Sequence, residues 1–172
     1  LLSKFISRGF FHAIGVTLWF YSMTVITIAE VTAIGFLTPI FVCVGAAFIF
    51  KEKITGFRTI AILISFLGAI IILRPGFKLI ETGHGCMLFA AFVFSFSYLI
   101  AKHVSEYKTS IEIVGFLSLF TTLFLVPMAI LDWKPINNEN LSLLFLTAII
   151  ATIGHITMTL AIKSAPMAVI QP

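Results

Sequence analysis

The chain has 172 residues, of which 60% are hydrophobic and only 10% charged, with a mean hydropathy of +1.14 and a net charge of +4. A soluble domain of this length exposes too much surface to hide so apolar a composition, so the sequence predicts a chain whose solvent is lipid. Its basic residues are scattered between apolar blocks instead of lying on one face, which excludes nucleic acid as a partner.

In chain order, the charges divide the sequence into uncharged runs at 9–29, 31–50, 59–73, 82–101, 113–131 and 140–162. A helix rises about 1.5 Å per residue through a hydrocarbon layer about 30 Å thick, so roughly 20 apolar residues cross it. Five runs qualify directly. The third is shorter, and Arg58 and Arg74 at its ends can carry their charges to the interfaces. The expected fold is therefore all-α, a polytopic membrane helical bundle of six spans joined by short polar connectors. The opening LLSKFISRGF has no initiator Met and no signal-peptide layout, so the chain reads as an excerpt.

Successive spans alternate in direction, which sorts the loop cations into two sets. Lys4, Arg8, Lys51, Lys53, Arg58, Lys102, Lys108 and Lys163 fall on one side; Arg74, Lys78 and Lys134 fall on the other. The richer side is expected to be cytoplasmic, with the loops at 51–58 and 102–110 inside and Glu30 at the outer face. The loop around Lys51, Glu52 and Lys53 reads as a solvated turn that sets orientation, with Glu52 tying its basic neighbours together.

Glu30 lies just inside the second run, where the positive end of a helix dipole stabilises an anion; the same acid at an outer vestibule can select solutes or help close a gate. Pro39 is expected to bend that helix near mid-membrane, with Thr32, Phe36, Pro39 and Cys43 on one weakly polar face that serves as kink and cavity wall together. In the fourth run, Ser95 and Tyr98 belong to a stripe from His84 to Lys102 at helical spacing. His155 lies eight residues, roughly 12 Å, from Lys163 and shares a stripe with Thr152 and Thr159, so it is expected to face a cavity and is a candidate for proton coupling. Tyr21 is the preferred aromatic candidate of the first run.

An enzyme reading finds no Gly-x-Ser-x-Gly, no His-Glu-x-x-His and no pair of buried acids. Cys43 and Cys86 sit in apolar runs without metal or redox spacing, so no cofactor or metal is expected. With no Asp or Arg expected deep in a span, a neutral or zwitterionic solute held by hydroxyls, His and aromatic rings is favoured.

Motif order adds a resemblance. WFYSMTVITIAEVTAIGFLTP carries an Ala-Glu pair followed by Pro, at Ala29, Glu30 and Pro39; FKEKITGFRTIAILISFLGAIIILRPG carries an acidic turn residue, Glu52, then Gly68, Pro75 and Gly76; LAIKSAPMAVIQP carries Ala161, Ile162, Lys163, Pro166 and Pro172. In this order and spacing the chain resembles the EamA-type proteins of the drug/metabolite transporter superfamily. Thr27 departs from the pattern, since the family usually has Pro there, and a less rigid turn before Glu30 is expected.

The resemblance implies a ten-helix inverted-repeat (5+5) transporter fold, of which this chain holds the third helix to the start of the ninth. Residues 1–78 would be the end of the first repeat, with three spans, and 79–172 the start of the second, with three spans and the start of a fourth. Within the chain the repeat is faint: laying 9–33 on 148–172 matches Gly15 with Gly154 and Ala29 with Ala168, about as chance would. The implied function is a secondary transporter of a small organic metabolite, working by alternating access in the lipid bilayer of a bacterial inner membrane, as a monomer or a homodimer. The alternative is a truncated non-transporting remnant or an accessory membrane subunit.

Overall fold

A computed structural model describes residues 1–74, 79–131 and 133–170, without the side chains of Arg58 and Ala168. Pro75, Gly76 and Pro172 of the motifs above, and the expected repeat boundary at 78, lie outside the described residues.

The first helix, α1 (Leu2–Val25), ends because Ile26 and Thr27 take extended backbone conformations. Two glycines set what it packs against. A Cβ on Gly9 would run into Phe120, and one on Gly15 would meet the Phe94 ring at 2.6 Å, so α1 lies close to two helices that follow much later. Those are α5 (Thr82–Ser105), which carries Phe94, and α6 (Ser110–Leu131), which carries Phe120.

The second expected span is two helices, α2 (Ile28–Gly35) and α3 (Thr38–Ile49), broken at Phe36 and Leu37. Pro39 stands in the first turn of α3, where its missing N–H leaves no helical bond unmade. The expectation of one bent helix is thus corrected. The break shifts the helical phase, so Thr32 and Phe36 point outward, Phe36 being 62% exposed, while Thr38, Val42, Cys43 and Ala46 are buried. The turn before Glu30 is also tighter than expected. Thr27 caps α2 in a reciprocal box: its Oγ1 accepts from Glu30 N–H at 3.3 Å, and Glu30 Oε2 accepts from Thr27 N–H at 3.0 Å.

α4 (Gly56–Leu73) packs on α2, and α7 (Asn138–Ser164) on α5 and α6, before a short α8 (Met167–Ile170). Among the described residues there is no strand. Among the described residues, four segments are long and apolar enough to cross a bilayer: 28–49, α5, α6 and α7. Of the other two expected spans, α4 supplies the shorter apolar stretch Thr59–Leu73, and α1 carries Lys4, Arg8 and His12 along its first half.

α5 is the centre of the bundle because its inward residues are small: Gly83, Ala90, Ala91, Ser95, Ser97 and Ala101 are all buried. Three apolar clusters surround it. One joins Ile26, Val31, Ile34, Leu37 and Met87; a second joins Val42, Ala46, Leu99, Ala101, Ile162 and Met167; the third joins Phe5, Val104 and Ile113. The outer faces of α6 and α7 stay apolar and exposed, as Leu144, Phe145 and Ile150 illustrate, which requires a non-aqueous neighbour.

Candidate functional site

The charged groups gather at the two ends of the bundle, and one polar cluster lies between its helices. Arg8, on the first turns of α1, is 2% exposed. Its Nη1 donates to the Ile113 carbonyl at 3.0 Å, and its Nε is buried without a partner. One helical turn further on, the His12 ring meets the Phe94 ring at 5.1 Å and lies edge-on to His155 of α7 at 5.5 Å. His12 Nδ1 is also buried without a partner. Two orphaned polar atoms on adjacent turns are an unusual expense for a protein interior, and they mark the place where another polar group would be favoured.

Of the residues expected from sequence, His155 and Tyr98 come near this pair, and Thr159 lies one turn along α7 from His155. His155 is half-buried against His12, and Thr159 is buried with its hydroxyl donating to the His155 carbonyl at 2.7 Å. Tyr98 lies within electrostatic reach of Arg8 and packs on the cluster of Val42, Leu99 and Ile162. Ser95, one turn away on α5, is buried and spends its hydroxyl on the Phe92 carbonyl at 2.6 Å. The remaining five stand elsewhere. Pro39 is half-buried at the start of α3, and Thr32 and Phe36 are exposed on α2 and at its end. Tyr21 is 45% exposed at the opposite end of the bundle, where its hydroxyl meets Thr82 Oγ1 at 3.1 Å.

Glu30 lies at that same end, 5% exposed, with Oε2 also accepting from Thr27 Oγ1 at 2.8 Å. Beside it opens a cavity of about 490 Å³ lined by Thr24, Thr27, Glu30, Glu81 and His84. Glu30 therefore both caps α2 and lines this cavity. Among the described residues no three His, Cys, Asp or Glu side chains come together to hold a metal.

At the basic end, Lys102 Nζ donates to the carbonyls of Ile162 at 2.8 Å and Ala165 at 2.9 Å, and Glu52 Oε1 accepts from Met167 N–H at 3.1 Å. Lys4 contacts His103, Lys108 pairs with Glu112, and Lys163 donates to the Lys108 carbonyl. The reading of the 51–53 loop as a solvated turn is corrected for Glu52, which reaches a helix 115 residues away in the chain.

Sequence reasoning missed Arg8 and His12. Arg8 was assigned to a basic loop, and His12 was absorbed into an apolar run. The signal that could have found them is their spacing of four residues beside Gly9 and Gly15, whose missing side chains bring that part of α1 against its neighbours.

The family model described as the EamA-like transporter family matches residues 2–74 and 81–172. The chain belongs to the EamA-like transporter family. This EamA-like chain is 25% identical over 138 residues to the S-adenosylmethionine uptake transporter of Rickettsia prowazekii, covering 80% of the chain and 47% of the relative. It is 29% identical over 146 residues to the riboflavin transporter of Vibrio cholerae, covering 84% and 49% respectively. A riboflavin transporter of Rhizobium johnstonii is 24% identical over 170 residues, 98% of the chain and 56% of the relative. The chain spans about half the length of the curated relatives it matches. No solved structure matches it.

Proposed function

We propose that the full-length protein is a secondary carrier that moves a small heteroaromatic metabolite bearing an acidic group, and that the solute binds where Arg8, His12, Tyr98, His155 and Thr159 converge. The observation that carries this reading is the buried Arg8 guanidinium, whose Nε and whose neighbour His12 Nδ1 have no protein partner. A charge kept out of water in this way favours an anionic or strongly polar group beside it. This narrows the expected neutral or zwitterionic solute to one that carries an acidic group, because that expectation rested on there being no buried Arg. The rings of His12, Phe94, Tyr98 and His155 supply flat surfaces for a heterocycle. S-adenosylmethionine, named for one set of relatives, combines such a ring with a carboxylate.

The position of the cluster supports the same reading. α1 and α7 each end in an extended residue, Ile26 and Ala165, 139 positions apart, so we read them as equivalent helices of the two halves, with the His12–His155 contact between them, where repeat-built carriers bind their solutes. We take the division between the halves at about residue 78, between the two matched segments, 2–74 and 81–172. The basic end is read as cytoplasmic, in a bacterial inner membrane.

The test is uptake into proteoliposomes by the full-length protein, with S-adenosylmethionine and riboflavin as probes and an imposed pH gradient. Saturable uptake of S-adenosylmethionine is expected. His155→Ala is expected to abolish any dependence on the gradient, since it removes the ring that His12 faces. No uptake of either probe would favour the non-transporting remnant or accessory subunit. Mass photometry of the same preparation distinguishes monomer from homodimer.

A further inference from the structure

Two junctions in this fold are alike in backbone and unlike in what holds them. α1 ends in an extended Ile26 and resumes as α2 after Thr27; α7 ends in an extended Ala165 and resumes as α8 after Pro166. They are related by the same 139-residue offset, which sets Thr27 against Pro166, Ile28 against Met167 and Glu30 against Val169. At the first junction the cap is local, supplied by Thr27 and Glu30. At the second no such side-chain box forms, because Pro166 has no hydroxyl and Val169 no carboxylate; Val169 N–H donates to the Pro166 carbonyl at 2.9 Å. The junction is instead tied to other elements. Glu52, in the α3–α4 loop, accepts from Met167 N–H, and Lys102 of α5 donates to the carbonyls of Ile162 and Ala165. Glu52 thus meets the first N–H after the break, and Lys102 meets carbonyls at the end of α7 that have no helical partner.

We propose that Glu52 is the latch of an inner gate, holding the first half of the carrier to the α7–α8 junction of the second on the cytoplasmic side of the solute site. This rests on the carrier reading and on the division near residue 78. Lys102, Ile162, Ala165 and Met167 all belong to the second half, so the Lys102 bonds brace the junction within one body. Glu52 belongs to the first half, and its bond crosses between the bodies. Rocking of the halves has to break a crossing bond and can leave an internal one intact. Met167 is completely buried, packed with Val42 and Ala46 of α3 and with Leu99 and Ile162, and Tyr98 borders the same cluster. The latch therefore closes over an apolar plug, and the plug adjoins the solute site. Glu52 and Lys102 are positioning residues and touch no solute.

The test uses the full-length protein with its native cysteines replaced and one reporter at a time. Ala165→Cys reports the inner junction to an impermeant maleimide applied from the cytoplasmic side, and Thr24→Cys reports the opposite cavity from outside. Glu52→Ala is expected to speed inner labelling about tenfold, the effect of one lost charge-assisted hydrogen bond, and to slow outer labelling. Glu52→Gln keeps an acceptor oxygen for Met167 N–H but loses the charge, and is expected to label at a rate between the parent and Glu52→Ala. Lys102→Met, which frees the junction carbonyls, is expected to speed inner labelling as well. Parental inner labelling in Glu52→Ala, or a Gln variant that behaves like the Ala variant, overturns the latch. Faster labelling at both ends also overturns it, because that is general loosening. Labelling is read without solute, so a parent that transports while Glu52→Ala labels normally loses the latch and keeps the carrier reading. The converse result keeps the latch and loses the carrier.

Discussion

Replacing Arg8 with Met retains most of the side-chain volume and removes the charge, so it separates the solute-reading role of Arg8 from its packing. In the folded protein the change deletes one charged hydrogen bond, to the Ile113 carbonyl at 3.0 Å, worth about 1.5–3 kcal/mol, and it also removes a guanidinium that is 2% exposed with Nε unpartnered. Those two effects oppose each other, so the net change in stability is expected to be about 1 kcal/mol or less. Solute binding has no such offset. An acidic group held by a desolvated guanidinium loses about 3 kcal/mol when the cation goes, a roughly 150-fold rise in Kd. The assay is equilibrium binding of S-adenosylmethionine to the full-length protein, beside an analogue whose carboxylate is replaced by an amide. The parent is expected to prefer the acid strongly and Arg8→Met to bind the two alike, with Arg8→Lys between them because a point charge cannot form the two-pronged contact. If Arg8→Met weakens acid and amide equally, or neither, Arg8 is a tie between α1 and α6 and does not read the solute.

Other outcomes follow from contacts described above. Thr27→Pro, which gives this chain the residue usual in its family, suits a φ of −68° but removes the N–H and hydroxyl that Glu30 accepts; it is expected to lower stability by about 1 kcal/mol, read as a fall in the thermal midpoint in detergent. Gly15→Ala would place a methyl 2.6 Å from the Phe94 ring and is expected to cost about 1–3 kcal/mol, whereas Gly68→Ala on α4 meets open space and should be neutral or stabilising by up to about 1 kcal/mol in the same melts. His12→Ala is expected to weaken solute binding without changing labelling of the inner junction, because the Glu52–Met167 contact does not involve α1. Equal effects on both readouts would merge the site and the gate into one unit.

Much of the architecture was legible in the residue order because each apolar run needs internal hydrogen bonding in lipid, and a helix is how a single segment achieves it. The runs at 82–101, 113–131 and 140–162 lie within α5, α6 and α7, and Pro39 does mark an irregular point, although the chain breaks there and starts a new helix. Tyr98, His155 and Thr159 were legible as inward polar members of helical stripes. Arg8 was not, because a cation near the end of an apolar run reads as interfacial unless the neighbours that enclose it are known. The sequence by itself determined which segments are helical, that they need an apolar surrounding and, within an unbroken helix, which residues share a side. Only the tertiary structure decided that His12 meets His155, 143 positions away, that Arg8 reaches Ile113, and that Glu52 caps α8. The reason is that periodicity records which face of a helix is special, whereas the partner that face meets depends on how separate helices pack around α5, and that is set by small residues such as Gly9, Gly15 and Ala90 acting over long chain distances.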